Sequence, residues 1–141
     1  MNKKNLCKKA IGICLVVMMA MAGVGKYAKA QEISFTVIGK DKGFYEIVGG
    51  TEMNKTRGTS YTAESGSDKC HCSVSATFRW YGGSGELLYS NGNGAGGMHG
   101  ASVSIYYSNK ETQLSCGFAN HTGEAIVGGS ERGTSSEKWP K

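Results

Sequence analysis

The run Ser73-Val74-Ser75-Ala76-Thr77-Phe78-Arg79-Trp80 alternates polar and apolar side chains without a break. Successive side chains of an extended chain point to opposite faces, so Val74, Ala76, Phe78 and Trp80 share one side. That is the signature of a half-buried strand. Working outward, Ala101-Ser102-Val103-Ser104-Ile105-Tyr106-Tyr107 repeats the pattern, with Ala101, Val103, Ile105 and Tyr107 inward. Gln113-Leu114-Ser115-Cys116-Gly117-Phe118 reads as a third strand, with Leu114, Cys116 and Phe118 inward. Glu86–Tyr89 and Ala125–Val127 are shorter candidates. Towards the N-terminus, Ile33–Ile38 and Phe44–Val48 flank the turn Gly39–Gly43 and predict a hairpin closed by Gly49-Gly50.

Nothing after residue 30 reads as a helix, and 22 glycines against a single proline favour a turn-rich β protein. The expected fold class is all-β: a small antiparallel β-sandwich with a Gly-rich loop and a long polar linker after the N-terminal hairpin. The linker is residues 51–69, polar throughout apart from one Met, one Tyr and one Ala. The loop is residues 82–100, eight of them glycine. It reads as a mobile connection or as a binding loop that offers backbone N–H groups. The organisation expected is a signal peptide over 1–30, a hairpin and polar linker over 31–69, and a sandwich module over 70–141.

The first 30 residues predict export. Lys3, Lys4, Lys8 and Lys9 precede an apolar run from Ala10 to Gly25, and Ala28-Lys29-Ala30 gives a small-x-small cleavage pattern. The run falls short of the ~20 residues that span a bilayer. The length and lysine content suggest a Gram-positive bacterium and a secreted, extracellular product. Six of the 16 basic residues lie in this segment and none of the 11 acidic ones, so the remainder carries 10 basic against 11 acidic. Net charge after cleavage therefore gives no nucleic-acid reading.

The exported part holds Cys70, Cys72 and Cys116. Outside the cytoplasm thiols oxidise, and shared inward parity predicts a bridge from Cys72 to Cys116, with Cys70 as the alternative partner. Closing that loop would add roughly 3–4 kcal/mol. The odd cysteine leaves a free thiol or a disulfide-linked homodimer. Cys70-His71-Cys72 lacks the spacing of structural zinc sites, and an extended strand turns His71 away from both thiols. His99 and His121 sit in Gly-, Asn- or Thr-rich segments and read as solvated turn residues. No catalytic motif is found, so neither an enzyme nor a cofactor or metal is expected.

Tyr89-Ser90-Asn91, seven residues, then His99-Gly100-Ala101-Ser102-Val103 resembles the Tyr-Ser-Asn…His-x-Ala-Ser/Thr-Val core of the lactococcin 972 family of bacteriocins. Trp80 with Gly82-Gly83-Ser84-Gly85 upstream, and Cys116-Gly117-Phe118-Ala119 downstream, extend the resemblance over about residues 80–128. It implies a secreted antibacterial β-sandwich that acts at the cell wall, binds lipid II and blocks septum formation; neither the charge nor any amphipathic helix in the sequence supports pore formation. The implied ligand residues are Trp80, Tyr89, Asn91 and His99. The implied partner is a cell-wall precursor of competing bacteria, with the membrane surface reached only through the lipid-linked ligand. The competing expectation is a secreted β module that binds carbohydrate or a host protein through Tyr81, Tyr89 and Tyr106.

Overall fold

The computed structural model describes residues 31–66 and 68–141. The export signal expected over residues 1–30 lies outside them. The described chain forms eight strands: β1 (Gln31–Ile38), β2 (Phe44–Met53), β3 (Arg57–Glu64), β4 (Cys70–Tyr81), β5 (Leu87–Met98), β6 (Gly100–Tyr106), β7 (Leu114–Ala125) and β8 (Ser130–Trp139). They make two four-stranded antiparallel sheets, ordered β1-β2-β3-β6 and β5-β4-β7-β8, which pack as a β-sandwich. Sheet one takes three strands from before Cys70 and one, β6, from after it.

The alternation read from residues 73–80 is the backbone of the second sheet. Val74, Ala76, Phe78 and Trp80 are buried on β4, while Ser75, Thr77 and Arg79 face solvent. The core has two apolar clusters. Met53, Val74, Ala76, Phe78, Trp80, Val103 and Ala119 form one. Val37, Tyr45, Ile47, Cys70, Cys72 and Ala125 form the other.

A buried polar layer accompanies them. Thr51 Oγ1 lies 3.1 Å from Ser60 Oγ and 2.6 Å from Ser135 Oγ. His121 is held at Nδ1 by Thr62 (2.8 Å) and at Nε2 by Ser135 (2.7 Å). Gly49 makes room for this ring, since a Cβ there would come within 2.6 Å of His121 Nδ1. Hydroxyls and imidazole satisfy one another, which is the condition for burying them.

His121 is thus no solvated turn residue, and four further expectations need correction. Residues 51–69 are not a linker: β2 continues to Met53, and β3 lies between β2 and β6 with Gly58–Glu64 buried. Ser60 meets Thr51 and Thr62 meets His121 inside the sandwich, and Thr59 meets Ser104 on the neighbouring β6, so polar composition did not imply exposure. Residues 82–100 are mostly strand as well, because β5 pairs with β4 along nearly its whole length. Ile126 and Val127 belong to a turn, not to a strand.

The fourth correction is the parity of β7. The inward residues are Ser115, Gly117, Ala119, His121, Gly123 and Ala125, whereas Leu114 and Phe118 are exposed and Cys116 is half-buried on the outer face. Small residues are required there because Phe78 and Met53 already fill the space: a Cβ on Gly117 would lie within 2.8 Å of the Phe78 ring. The Cys72–Cys116 bridge falls with that parity, and so does the Cys70 alternative. Cys72 stands opposite Gly123 and Cys70 opposite Ala125, while Cys116 stands opposite Arg79. Seven residues of strand separate Cys116 from Gly123, about 23 Å, far beyond disulfide reach. All three thiols are free.

Candidate functional site

Trp80 is the last inward residue of β4, and Tyr89 stands directly opposite it on β5. The register slips between Trp80 and Tyr81, so a bulge sets the two rings at this end of the sheet. Tyr107 follows β6 and is fixed by its N–H donating to the Thr56 carbonyl at 2.9 Å. The three rings pack together. Trp80 lies 5.9 Å from Tyr89 and 5.7 Å from Tyr107 at tilted angles, while Tyr89 and Tyr107 stack at 4.7 Å and 9°. Such pairs add about 0.5–1.5 kcal/mol beyond area burial.

Each stacked tyrosine carries an asparagine two residues on. Asn91 Nδ2 donates to the Tyr89 phenol oxygen at 3.0 Å, and Asn109 Nδ2 donates to that of Tyr107 at 3.0 Å. The amide oxygens are pinned too, accepting from the Gly92 N–H (2.8 Å) and the Glu111 N–H (2.9 Å). The sequence explains the likeness: Tyr89-Ser90-Asn91 recurs as Tyr107-Ser108-Asn109. Reading the first tripeptide alone missed the second, although the repeat was there to be found. Each phenol oxygen accepts one N–H, which leaves its own hydrogen for a further acceptor. The buried Trp80 Nε1 has no hydrogen-bond partner among the described residues.

Of the residues expected in the site, Trp80, Tyr89 and Asn91 come together and His99 does not. Trp80 is fully buried, so its ring supports the tyrosines from beneath. Asn91 is exposed. His99 occupies the β5–β6 turn with φ 72° and sits eight residues from Asn91, about 26 Å along the strand. Its Nδ1 meets Asp68 Oδ1 at 2.9 Å in solvent. Of the rival candidates, Tyr106 points out on β6 and Tyr81 is half-buried at the end of β4.

Other chemistry-bearing groups lie elsewhere. His121 and Ser135 are within hydrogen-bond distance, but both are buried in the core and present no surface to a substrate. His71 faces solvent while Cys70 and Cys72 are buried on the opposite face. Among the described residues no cluster of His, Cys, Asp or Glu is placed to hold a metal ion. Burial pushes the Cys70 thiol up to about 11 and the Cys72 thiol up to about 12, with the Glu64 carboxylate adding to both shifts. On the outer face of the second sheet, a shallow groove of about 640 Å³ runs between Arg79, Cys116, Phe118 and Lys138.

Comparison with protein-family models, with curated proteins and with solved structures gave no match to this chain.

Proposed function

We propose that the protein is a secreted, non-catalytic binding module for a saccharide of the bacterial cell envelope, taken at the Tyr89–Asn91–Tyr107–Asn109 cluster. The observation that carries this reading is the paired arrangement of two stacked phenols, each fixed by an asparagine whose other end is held by a backbone N–H. Both stacked rings are half-buried, and their accessible apolar surface suits the C–H groups of a sugar ring. Amide and phenol groups suit its hydroxyls, and their preorganisation lowers the ordering cost of binding. The cluster is two phenols and two amides with no Lys, Arg or His among them to meet a phosphate, which favours a neutral saccharide over a pyrophosphate.

The antibacterial reading rests on the Tyr-Ser-Asn resemblance, whose Tyr89 and Asn91 both lie in the cluster. Under it, the saccharide belongs to the cell wall of competing bacteria, and binding blocks growth. The separation of His99 from the cluster removes the donor expected for a lipid-linked pyrophosphate.

The test is titration of purified residues 31–141 with fragments of peptidoglycan and with neutral polysaccharides. Asn109→Ala and Tyr107→Phe each remove one polar group and should weaken binding about five- to tenfold, the worth of one hydrogen bond. Binding that neither variant alters would assign the ligand to another surface. Growth inhibition of related bacteria by the same material separates the antibacterial reading from recognition of a host carbohydrate.

A further inference from the structure

Large apolar side chains left in solvent gather at the end of the sandwich opposite the tyrosine pair. Ile38 and Phe44 face one another across the β1–β2 hairpin, and Phe44 is 76 % exposed. Ile126 (66 % exposed) and Val127 form the β7–β8 turn. The two turns touch: the Lys40 N–H donates to the Gly128 carbonyl at 3.0 Å, and a Cβ on Gly39 would meet Val127 Cγ2 at 3.0 Å. The β3–β4 loop joins them through the Ile126 N–H, which donates to the Lys69 carbonyl at 2.9 Å. Scattered surface apolar groups need no explanation, but a contiguous set does.

These loops also bring Lys40, Lys42 and Lys69, all exposed. Two acids lie among them, so the three loops hold three lysines against two carboxylates, a small positive excess. Asp41 accepts from the Tyr45 hydroxyl at 2.6 Å and the Gly43 N–H at 2.9 Å, and Asp68 pairs with His99. The turn backbones are closed by their own hydrogen bonds, Gly39 N–H to Gly43 carbonyl and Gly128 N–H to Ala125 carbonyl, both 2.9 Å. An apolar tip with satisfied backbone and a lysine collar meets the requirements of a lipid–water boundary. A second copy fits less well, because a twofold contact through this tip would set lysines against lysines.

We propose that this end docks directly on an anionic lipid surface. Ile38, Phe44, Ile126 and Val127 enter the headgroup region, and Lys40, Lys42 and Lys69 meet the lipid phosphates. The proposal stands apart from the saccharide reading, since it uses the other end of the molecule. Residues 31–141 carry both sheets and both core clusters of the described chain and are the material for the experiment.

Residues 31–141 are sedimented with vesicles of phosphatidylglycerol and phosphatidylcholine, and with phosphatidylcholine alone. The protein should partition onto the phosphatidylglycerol vesicles and leave them as salt is raised. Phe44→Ser with Ile126→Ser should lower the partition coefficient at least tenfold. Lys40→Gln, Lys42→Gln and Lys69→Gln together should abolish the preference for the anionic lipid. All five positions are on the surface, so circular dichroism and melting should be unchanged. Folded protein that stays in the supernatant with both vesicles, or variants that bind as well as the parent, would overturn the proposal. So would a solution dimer split by Phe44→Ser without vesicle binding, which assigns the tip to a second copy.

Discussion

At the scale of the residue, His121 is the most consequential side chain outside the site. It was expected in a solvated turn and is instead fully buried between Thr62 and Ser135. Burial pushes its imidazole down to about 4, partly offset by a backbone hydrogen bond at Tyr61. The unfolded chain binds the proton near pH 6.5. The neutral ring's contribution is therefore complete above pH 6.5 and drains away as pH falls towards 4. Between pH 7.5 and 4.5 the loss should reach about 2–3 kcal/mol in urea unfolding. Burial pushes the Glu52 carboxyl up, which acts in the opposite sense, so a comparison is needed to isolate the histidine. His121→Gln should be less stable at pH 7.5 yet lack this slope, and a slope that survives the substitution would exonerate the ring. The cysteines offer a second test. Cys70 and Cys72 are buried with raised thiols, and Cys116 is half-buried on the outer face. Maleimide at pH 7.5 should label Cys116 alone in folded residues 31–141, and all three cysteines in denaturant. Protection of Cys116 or prompt labelling of Cys72 in mass spectra would contradict this placement.

At the scale of the element, β7 gives the sharpest check on the fold. If Gly117 faces Phe78 and Met53, Gly117→Ala overpacks the core and should cost about 1–3 kcal/mol. Phe118→Ala, on the outer face, should change stability by less than about 1 kcal/mol. The opposite ranking would restore the inward Phe118 that hydrophobicity alone suggested. The comparison of strands shows what was legible. β4 was readable because its inward residues are large and apolar and its outward ones polar, so alternation carried the information. β7 was not, because the bulky Phe78 on β4 forces its inward partner to be glycine and leaves leucine and phenylalanine outside. β3 was hidden by inward hydroxyls whose partners lie on other strands: Ser60 meets Thr51, and Thr62 meets His121. β5 was hidden by its glycines, and the reason lies at its free edge. Asn91 Oδ1 accepts from the Gly92 N–H and Asn93 Oδ1 from the Gly94 N–H, so side chains occupy donors that a pairing strand would seek. Unguarded edges invite sheet-to-sheet association. Asn93→Ala should therefore keep its fold but self-associate in analytical ultracentrifugation, and a variant as monomeric as its parent would refute the capping role. In the site itself, Tyr89 and Asn91 were legible as a tripeptide. Tyr107 and Asn109 needed the sandwich to bring β5 and β6 together.

At the scale of the whole molecule, the two proposed surfaces lie at opposite ends of the same strands. β4 runs from Cys70, beside the lysine-bearing loops, to Trp80 beneath the tyrosine pair. Ten residue steps of strand make that separation roughly 30 Å. A molecule seated on lipid by its apolar tip therefore holds Tyr89 and Tyr107 far above the headgroups. That geometry allows both surfaces to be occupied at once, and it bears on which saccharide is within reach. A glycan polymer standing off the membrane can reach the cluster, whereas a precursor sugar held at the bilayer surface by its lipid cannot. Protein bound to phosphatidylglycerol vesicles should accordingly take up soluble glycan with the affinity seen in solution, within about twofold. Adding lipid II to those vesicles should leave the bound fraction unchanged. A large gain in vesicle binding on adding lipid II, lost in Asn109→Ala but kept in Phe44→Ser, would show the tyrosine end facing the bilayer. The orientation argued from the lysine collar would then be reversed, while the saccharide site would stand.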